Sequence, residues 1–252
     1  MRMFRDIFYI NAFPEENLAI WYGMIFEEFI KYAPVEVNHL LLLEAMHYSN
    51  DFSRSTRLNV VGKDSMRNLL CKDIYNFGDF CWVDYDQREN IERLEPVEVA
   101  ELLYLGHMFR PVKSPFFDKL QNRYAYLAHD DGSLCRMYCR YYSDFQEIIS
   151  NKIVGTVSTN KRRRIYPFPE DLKVKLITLA EDGLVIDFSK TLRWEKTIEI
   201  PIHCIGKFLD MDDMYHNLER HIYHSKYSAW LVHKDKNWKI IDVVKDKEAE
   251  LT

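Results

Sequence analysis

The sequence predicts an α+β protein, a mixed sheet with interleaved helices and at least two β-hairpins, and three observations carry that reading. Apolar stretches of helical period, opened by a proline beside acids at Pro14-Glu15-Glu16, Glu95-Pro96 and Pro169-Glu170, recur between short alternating segments. Asp130-Asp131-Gly132 separates two alternating segments, and Asp-Gly tolerates the positive φ of a tight hairpin turn. Consecutive strand segments interrupt any strict strand-helix-strand rhythm, which argues against a doubly wound parallel sheet.

Taken in order, residues 6–10 form a short strand, and a helix is expected from Pro14 to about Tyr32, because Leu18, Trp21, Tyr22, Ile25, Phe26 and Phe29 recur at i, i+3, i+4 spacing. Residues 37–48 predict a second helix, with Leu40, Leu41, Leu43 and Ala45 too continuous for an amphipathic one. Residues 56–61 alternate and stop at Gly62, giving a strand, after which Asp64 caps a helix through Cys71. Phe80 to Asp84 returns as a strand. Glu95-Pro96 opens a helix with Val99, Leu102, Leu103 and Gly106 inward. Residues 123–129 and 133–141 make the hairpin, and Ser143 caps a helix running to about Val157. A helix from Pro169 ends at Asp182-Gly183, strands follow at 184–188 and 196–203, a helix spans Asp210 to His221, and residues 229–233 and 238–243 close the chain as a second hairpin. The whole of 1–252 is expected to form a single α+β domain, with a subdomain seam near 158–166 where Ser158-Thr159-Asn160 meets the basic run Lys161-Arg162-Arg163-Arg164; no internal repeat is found.

Composition narrows the function classes. A hydrophobic fraction of 47%, aromatic fraction of 14% and only 8 Gly and 8 Pro in 252 residues describe a folded chain with an aromatic-rich core. A net charge of −5 offers no general attraction for nucleic acid, and the basic run at 161–164 is expected to be a solvated connector, so nucleic-acid binding is disfavoured. Purely apolar runs such as Leu40 to Leu43 are far short of the ~20 residues of a membrane span, so no membrane insertion is expected. An acid at Asp6 interrupts any apolar leader, and five cysteines without CxxC spacing fit reduced thiols, which together make the cytoplasm the expected compartment. Cys135 and Cys139, on one strand, would share a face about 13 Å apart, too far for a disulfide.

The densest chemistry lies in residues 73–86, where five aromatic rings and four carboxylates occupy fourteen positions. Alternation along Phe80–Asp84 divides it into a core strand and an acidic rim. Asp79, Trp82, Asp84 and Asp86 are therefore the candidates for binding a ligand or partner, the acids lining a cleft near the helix that Glu95 and Glu98 begin. The plain alternative is that the rings fill the core and the acids serve as turn and cap residues.

Other constellations are weaker. His129-Asp130-Asp131 has the His-Asp pair of metal-dependent phosphohydrolases, but Asp-Gly accounts for both acids as turn formers. His216 and His221 diverge by about 140° on a helix, unlike zinc-binding pairs, while His221 and His224 would need His203 or a carboxylate nearby. No glycine-rich phosphate loop is present, and no local signature pairs Cys71, Cys81 or Cys204 with a histidine. No metal and no cofactor are expected.

The stretches Val60-Val61-Gly62-Lys63-Asp64, Gly78-Asp79-Phe80-Cys81-Trp82-Val83-Asp84, Glu101-Leu102-Leu103-Tyr104-Leu105-Gly106-His107 and Leu120-Gln121-Asn122-Arg123-Tyr124 resemble a family of uncharacterised soluble bacterial proteins of similar length. Some members of that family carry the label "oxalate:formate antiporter". The resemblance spans most of the chain but supplies no catalytic motif, and a chain without spanning helices is no antiporter of the many-helix kind. The sequence thus predicts a non-catalytic module that binds a protein or a small ligand, with a carboxylate-based hydrolase, with or without a metal, as the alternative. An immunity-type interaction protein is the third class.

Overall fold

The computed structural model describes residues 6–45, 53, 54, 56–71, 79–129, 134–158, 165–208 and 211–243. The chain begins with strand β1 (Ile7–Phe13), a 3₁₀ turn at Pro14–Glu16 and strand β2 (Leu18–Tyr22). The predicted long helix from Pro14 is therefore mostly strand, and only α1 (Phe26–Tyr32) is helical. The cause is burial. All five residues of β2 are buried because the strand is covered on both faces, so the period-2 signal vanishes and large apolar side chains at 18, 21, 22, 25 and 26 mimic a helical stripe.

The same error affects residues 37–48, where Leu40, Leu41, Leu42 and Leu43 belong to strand β3 (Leu40–Ala45) and are buried on alternating sides. Strand β4 (Asn59–Val61), helix α2 (Lys63–Leu70), strand β5 (Phe80–Asp84), helices α3 (Arg88–Glu92) and α4 (Pro96–Met108), and strands β6 (Tyr124–His129) and β7 (Leu134–Cys139) follow. Helices α5 (Tyr142–Val157) and α6 (Glu170–Ala180) lead to β8 (Leu184–Asp187), β9 (Leu192–Trp194) and β10 (Thr197–Cys204). The expected helix from Asp210 is two short ones, α7 (Met211–His216) and α8 (Leu218–Tyr223), before strands β11 (Tyr227–Lys234) and β12 (Asn237–Asp242).

All twelve strands join one sheet, ordered β12-β11-β10-β8-β1-β2-β7-β6-β5-β3-β4, with β9 paired to β10. The α+β class holds, but the sheet is not mixed, because each of these pairings is antiparallel. Helices between strands suggested parallel crossovers; here α3–α4 and α7–α8 are inserted into connections between antiparallel neighbours instead. Both predicted hairpins are present, β6 with β7 and β11 with β12, the latter turning through Asp235 and Lys236 at φ 49° and 71°. The seam proposed near 158–166 falls largely on residues 159–164, outside the described residues.

The topology contains a repetition that the sequence does not announce. Strands β3-β5-β6-β7 and β8-β10-β11-β12 are two meanders laid side by side in the same sense, with the β1–β2 hairpin between them. In each, a helix precedes the first strand (α1, α6), an insertion carrying a three-residue strand (β4, β9) follows it, and a helix pair sits between the second and third strands (α3–α4, α7–α8).

One face of the sheet carries the largest core. Phe8, Ile10, Trp21, Trp82, Tyr126, Ile200 and Leu231 point to it from the strands, and α1, α5 and α6 cover it with Phe26, Phe29, Phe145, Ile149, Leu172 and Leu176. The other face holds two smaller clusters. In one, α4 presses Leu102 and Leu105 onto Leu41, Leu43, Val83 and Leu127. Its approach is so close that a Cβ on Gly106 would lie 2.7 Å from that of Leu43. In the other, Met214 of α7 seals Ile7, Tyr9, Tyr22 and Val185.

Candidate functional site

The structure separates the four residues that the sequence groups together. Trp82 is fully buried, with its ring stacked on Tyr126 at 5.3 Å and 5° and within 5.7 Å of both Phe26 and Phe29. It is the centre of an aromatic core, where a ligand would have to displace packing that contributes several kcal/mol. Tyr85 is also buried, stacked on His39 at 5.2 Å. Asp79 and Asp84 lie at opposite ends of β5, about 16 Å apart at ~3.3 Å per residue. Asp86 is exposed, while its backbone N–H donates to the Leu120 carbonyl at 3.1 Å. Residues 73–78 lie outside the described residues.

Asp84 has a clear local task. Its Oδ1 accepts from the backbone N–H groups of Arg123 at 2.9 Å and Tyr124 at 2.6 Å, joining the end of β5 to the start of β6. Burial pushes its carboxyl up to about 6, against the pull of those two donors and of the Arg123 charge. The acids of α4 are engaged elsewhere: Glu98 closes a capping box on the Glu95 N–H at 2.7 Å and takes the Lys119 ammonium at 2.8 Å.

Beside Asp84 lies a pairing that sequence reasoning missed. The Arg123 guanidinium grips Asp144 with two bonds of 2.5 and 2.6 Å, and the ring of Tyr141 covers it at 4.8 Å. Asp144 sits in the first turn of α5, so the pair locks that helix start to β6. Nothing in the spacing of residues 123 and 144 signals this, because only the return of β7 to β6 brings them together.

The remaining chemistry of the sequence disperses. Burial raises the Cys135 and Cys139 thiols, which keeps them protonated and inert, and none of Cys71, Cys81, Cys135, Cys139 and Cys204 is in a disulfide. His203 Nδ1 lies 2.9 Å from the Ser228 hydroxyl, and His221 Nε2 faces Asp213 at 3.7 Å. Among the described residues, no three His, Cys, Asp or Glu side chains are placed to hold a metal, and no helix is long and apolar enough to cross a membrane. Residues Asp130 and Asp131 lie outside the described residues.

A shallow cleft, open to the surface, occurs where α7 and α8 lie over the start of β1. The cleft has a volume of about 730 Å³ and is lined by Asp6, Ile7, Ser189, Tyr215, His216, Asn217, Leu218, Glu219 and Arg220. Its frame is rigid: the Tyr9 hydroxyl donates to the Gly206 carbonyl at 3.0 Å and accepts from the Phe208 N–H at 3.1 Å, pinning the segment before α7 to β1. Burial drives that phenol up to about 12, so it stays protonated and keeps donating. Asn217 is oriented by donating to Asp213 at 2.8 Å, and Ser189 by its bonds to the buried Asp187. Asp6, Glu219 and Arg220 form no ion pair among the described residues, so charges of both signs face the cleft uncompensated. Of this lining the sequence singled out His216 alone.

No family model, curated protein or solved structure matches this chain, so the functional reading rests on the geometry of its own residues.

Proposed function

We propose that the protein is a non-catalytic binding module whose ligand is a small charged molecule held in the cleft between α7–α8 and the start of β1. The observation that carries this is the cleft itself. Its volume falls within the ~300–1,000 Å³ of small-molecule sites, and its open lining combines the apolar Ile7, Tyr215 and Leu218 with the charged Asp6, Glu219 and Arg220. Arg220 and His216 suit an anionic group and Asp6 and Glu219 a cationic one, so a zwitterion uses both sides. The carboxylates of the β5 strand support hydrolysis less, since Asp84 spends Oδ1 on two backbone amides and Asp79 sits about 16 Å from it.

The test is a panel of anionic, cationic and zwitterionic small molecules screened by thermal shift and followed by calorimetry. A true ligand at a 100-fold excess over its Kd stabilises the fold by about 2.7 kcal/mol. The expected result is a zwitterionic hit whose binding is lost in both Arg220→Glu and Glu219→Lys. Absence of any hit, or a hit indifferent to both substitutions, overturns the proposal.

A further inference from the structure

The connection that enters α6 is pinned to the terminal hairpin around one side chain. Trp238 of β12 donates its indole N–H to the Tyr166 carbonyl at 2.7 Å and packs its ring 4.5 Å from that of the buried Phe168, while the Lys236 ammonium lies 5.8 Å over the Tyr166 ring. A histidine backs this tryptophan. His233 is the cross-strand partner of Trp238 and stands opposite Ile198 of β10, so all three point to the face of the main core, and the imidazole meets the indole at 5.0 Å.

His233 is buried, and its Nε2 has no hydrogen-bond partner. The neutral ring tolerates this, because an imidazole carrying its proton on Nδ1 leaves only a lone pair unused at Nε2. Protonation turns Nε2 into a charged N–H donor with no acceptor, and an unpaired buried charge is far costlier than an idle lone pair.

The charged groups around the ring offer no relief. In the same row of the sheet, Arg193 of β9 donates to the Val157 carbonyl at 3.0 Å, and on β10 Glu199 points to the other face. On the hairpin, Lys236 is a cation and Asp235 is exposed in the turn. In the first turn of α6, Glu170 takes the Lys173 ammonium at 3.1 Å. Burial alone holds the imidazole below its ordinary value of 6.5.

We propose that His233 is an acid-released latch: the neutral ring backs Trp238 and keeps residues 165–168 docked on the β11–β12 hairpin, and the imidazolium lets that segment go. The docked form binds the proton less readily than the released one, so docking is complete above the ordinary histidine range and is lost as pH falls through it. Release is local. Leu172 and Leu176 hold α6 in the core independently, and β12 is an edge strand, so movement of its ring disturbs no further strand.

The test is nuclear magnetic resonance of the full chain, with its five tryptophans labelled, between pH 8 and pH 5. The Trp238 indole proton, assigned by its disappearance in Trp238→Phe, is expected to move from the position set by its bond to Tyr166 to that of an indole bonded to water. The midpoint falls below 6.5 and coincides with titration of the His233 ring, while the signals of Trp21 and Trp82 in the core stay in place. His233→Phe and His233→Gln, which cannot titrate, each abolish the transition, and either suffices should the other not fold. A Trp238 signal that does not move, a midpoint above 6.5, a transition that persists in the variants, or the collapse of all five signals together overturns the proposal. The α7–α8 cleft lies against the other face of the sheet, so none of these outcomes depends on it.

Discussion

The two meanders share a topology and differ in how they are covered. Strands β3-β5-β6-β7 are packed on both faces, by α1 with the aromatic core on one side and by α4 on the other. Strands β8-β10-β11-β12 are packed by α5 and α6 on one side, while on the other, among the described residues, the buried cluster that Met214 of α7 joins draws on β8 and the neighbouring hairpin, and Pro201 and Val232 are buried outside it. The joints differ too. The end of β10 meets β11 through a backbone bond, Lys226 N–H to the Cys204 carbonyl at 3.0 Å, whereas the end of β5 meets β6 through the Asp84 carboxylate. A repeated scaffold whose first meander is packed by helices with large buried clusters on both faces, and whose second ends in the partly exposed edge strand β12, concentrates stability in the first.

The largest expected effect breaks the covered half. Trp82→Ala removes a ring in contact with those of Phe26, Phe29 and Tyr126 and should cost about 3–5 kcal/mol in chemical denaturation. A cost below about 1.5 kcal/mol would mean that this core tolerates a void and that the two halves are less different than their packing indicates.

Next is the joint between β5 and β6. Asp84→Ala orphans two backbone N–H groups and should cost about 2–4 kcal/mol, whereas Asp84→Asn keeps an acceptor oxygen and should cost far less. The pH dependence sharpens this. Because the carboxyl is raised in the fold from 3.8 to about 6, ionisation is penalised there, and stability is lost as pH climbs through that window. Wild type should therefore gain roughly 1 kcal/mol relative to Asp84→Asn between pH 7 and pH 5, a difference that urea titrations at the two pH values resolve. An unchanged difference would place the ionised carboxylate in an environment as wet as the unfolded chain.

The smallest effect belongs to the second meander. Trp230→Ala, at a partly exposed strand position, should cost under about 1 kcal/mol despite removing the same residue type as Trp82→Ala. Hydrogen exchange should rank the strands the same way, with β5 amides exchanging last and those of β12, an edge strand, first; the reverse order would end the comparison.

Legibility followed burial. The hairpins at 124–139 and 227–242, the helix openings at Pro96 and Glu170 and the strand Phe80–Asp84 were readable because turn chemistry, capping and alternation act over a few residues. Strands β2 and β3 were not, since a strand buried on both faces loses its alternation and Leu40 to Leu43 reads equally as helix. Sheet direction was misjudged because helix-containing connections join antiparallel as well as parallel neighbours. As for sites, the alternation put Asp79, Asp84 and Asp86 at and beside the ends of β5, but the two backbone donors of Asp84 come from Arg123 and Tyr124 at the start of β6, and no local pattern announces them. The cleft draws Asp6 and Ser189 to α7–α8 from distant parts of the chain, so only His216 carried a signal.

Sequence alone determined the α+β class, an aromatic-rich interior, two hairpins and the splitting of residues 79–86 into packing ring and flanking acids, because these follow from composition and from interactions between residues close along the chain. Tertiary structure decided the all-antiparallel order, the repeated meander, the Arg123–Asp144 pair and the cleft. Each of those depends on which distant segments become neighbours, a choice made by the summed burial of whole strands and helices rather than by any local spacing.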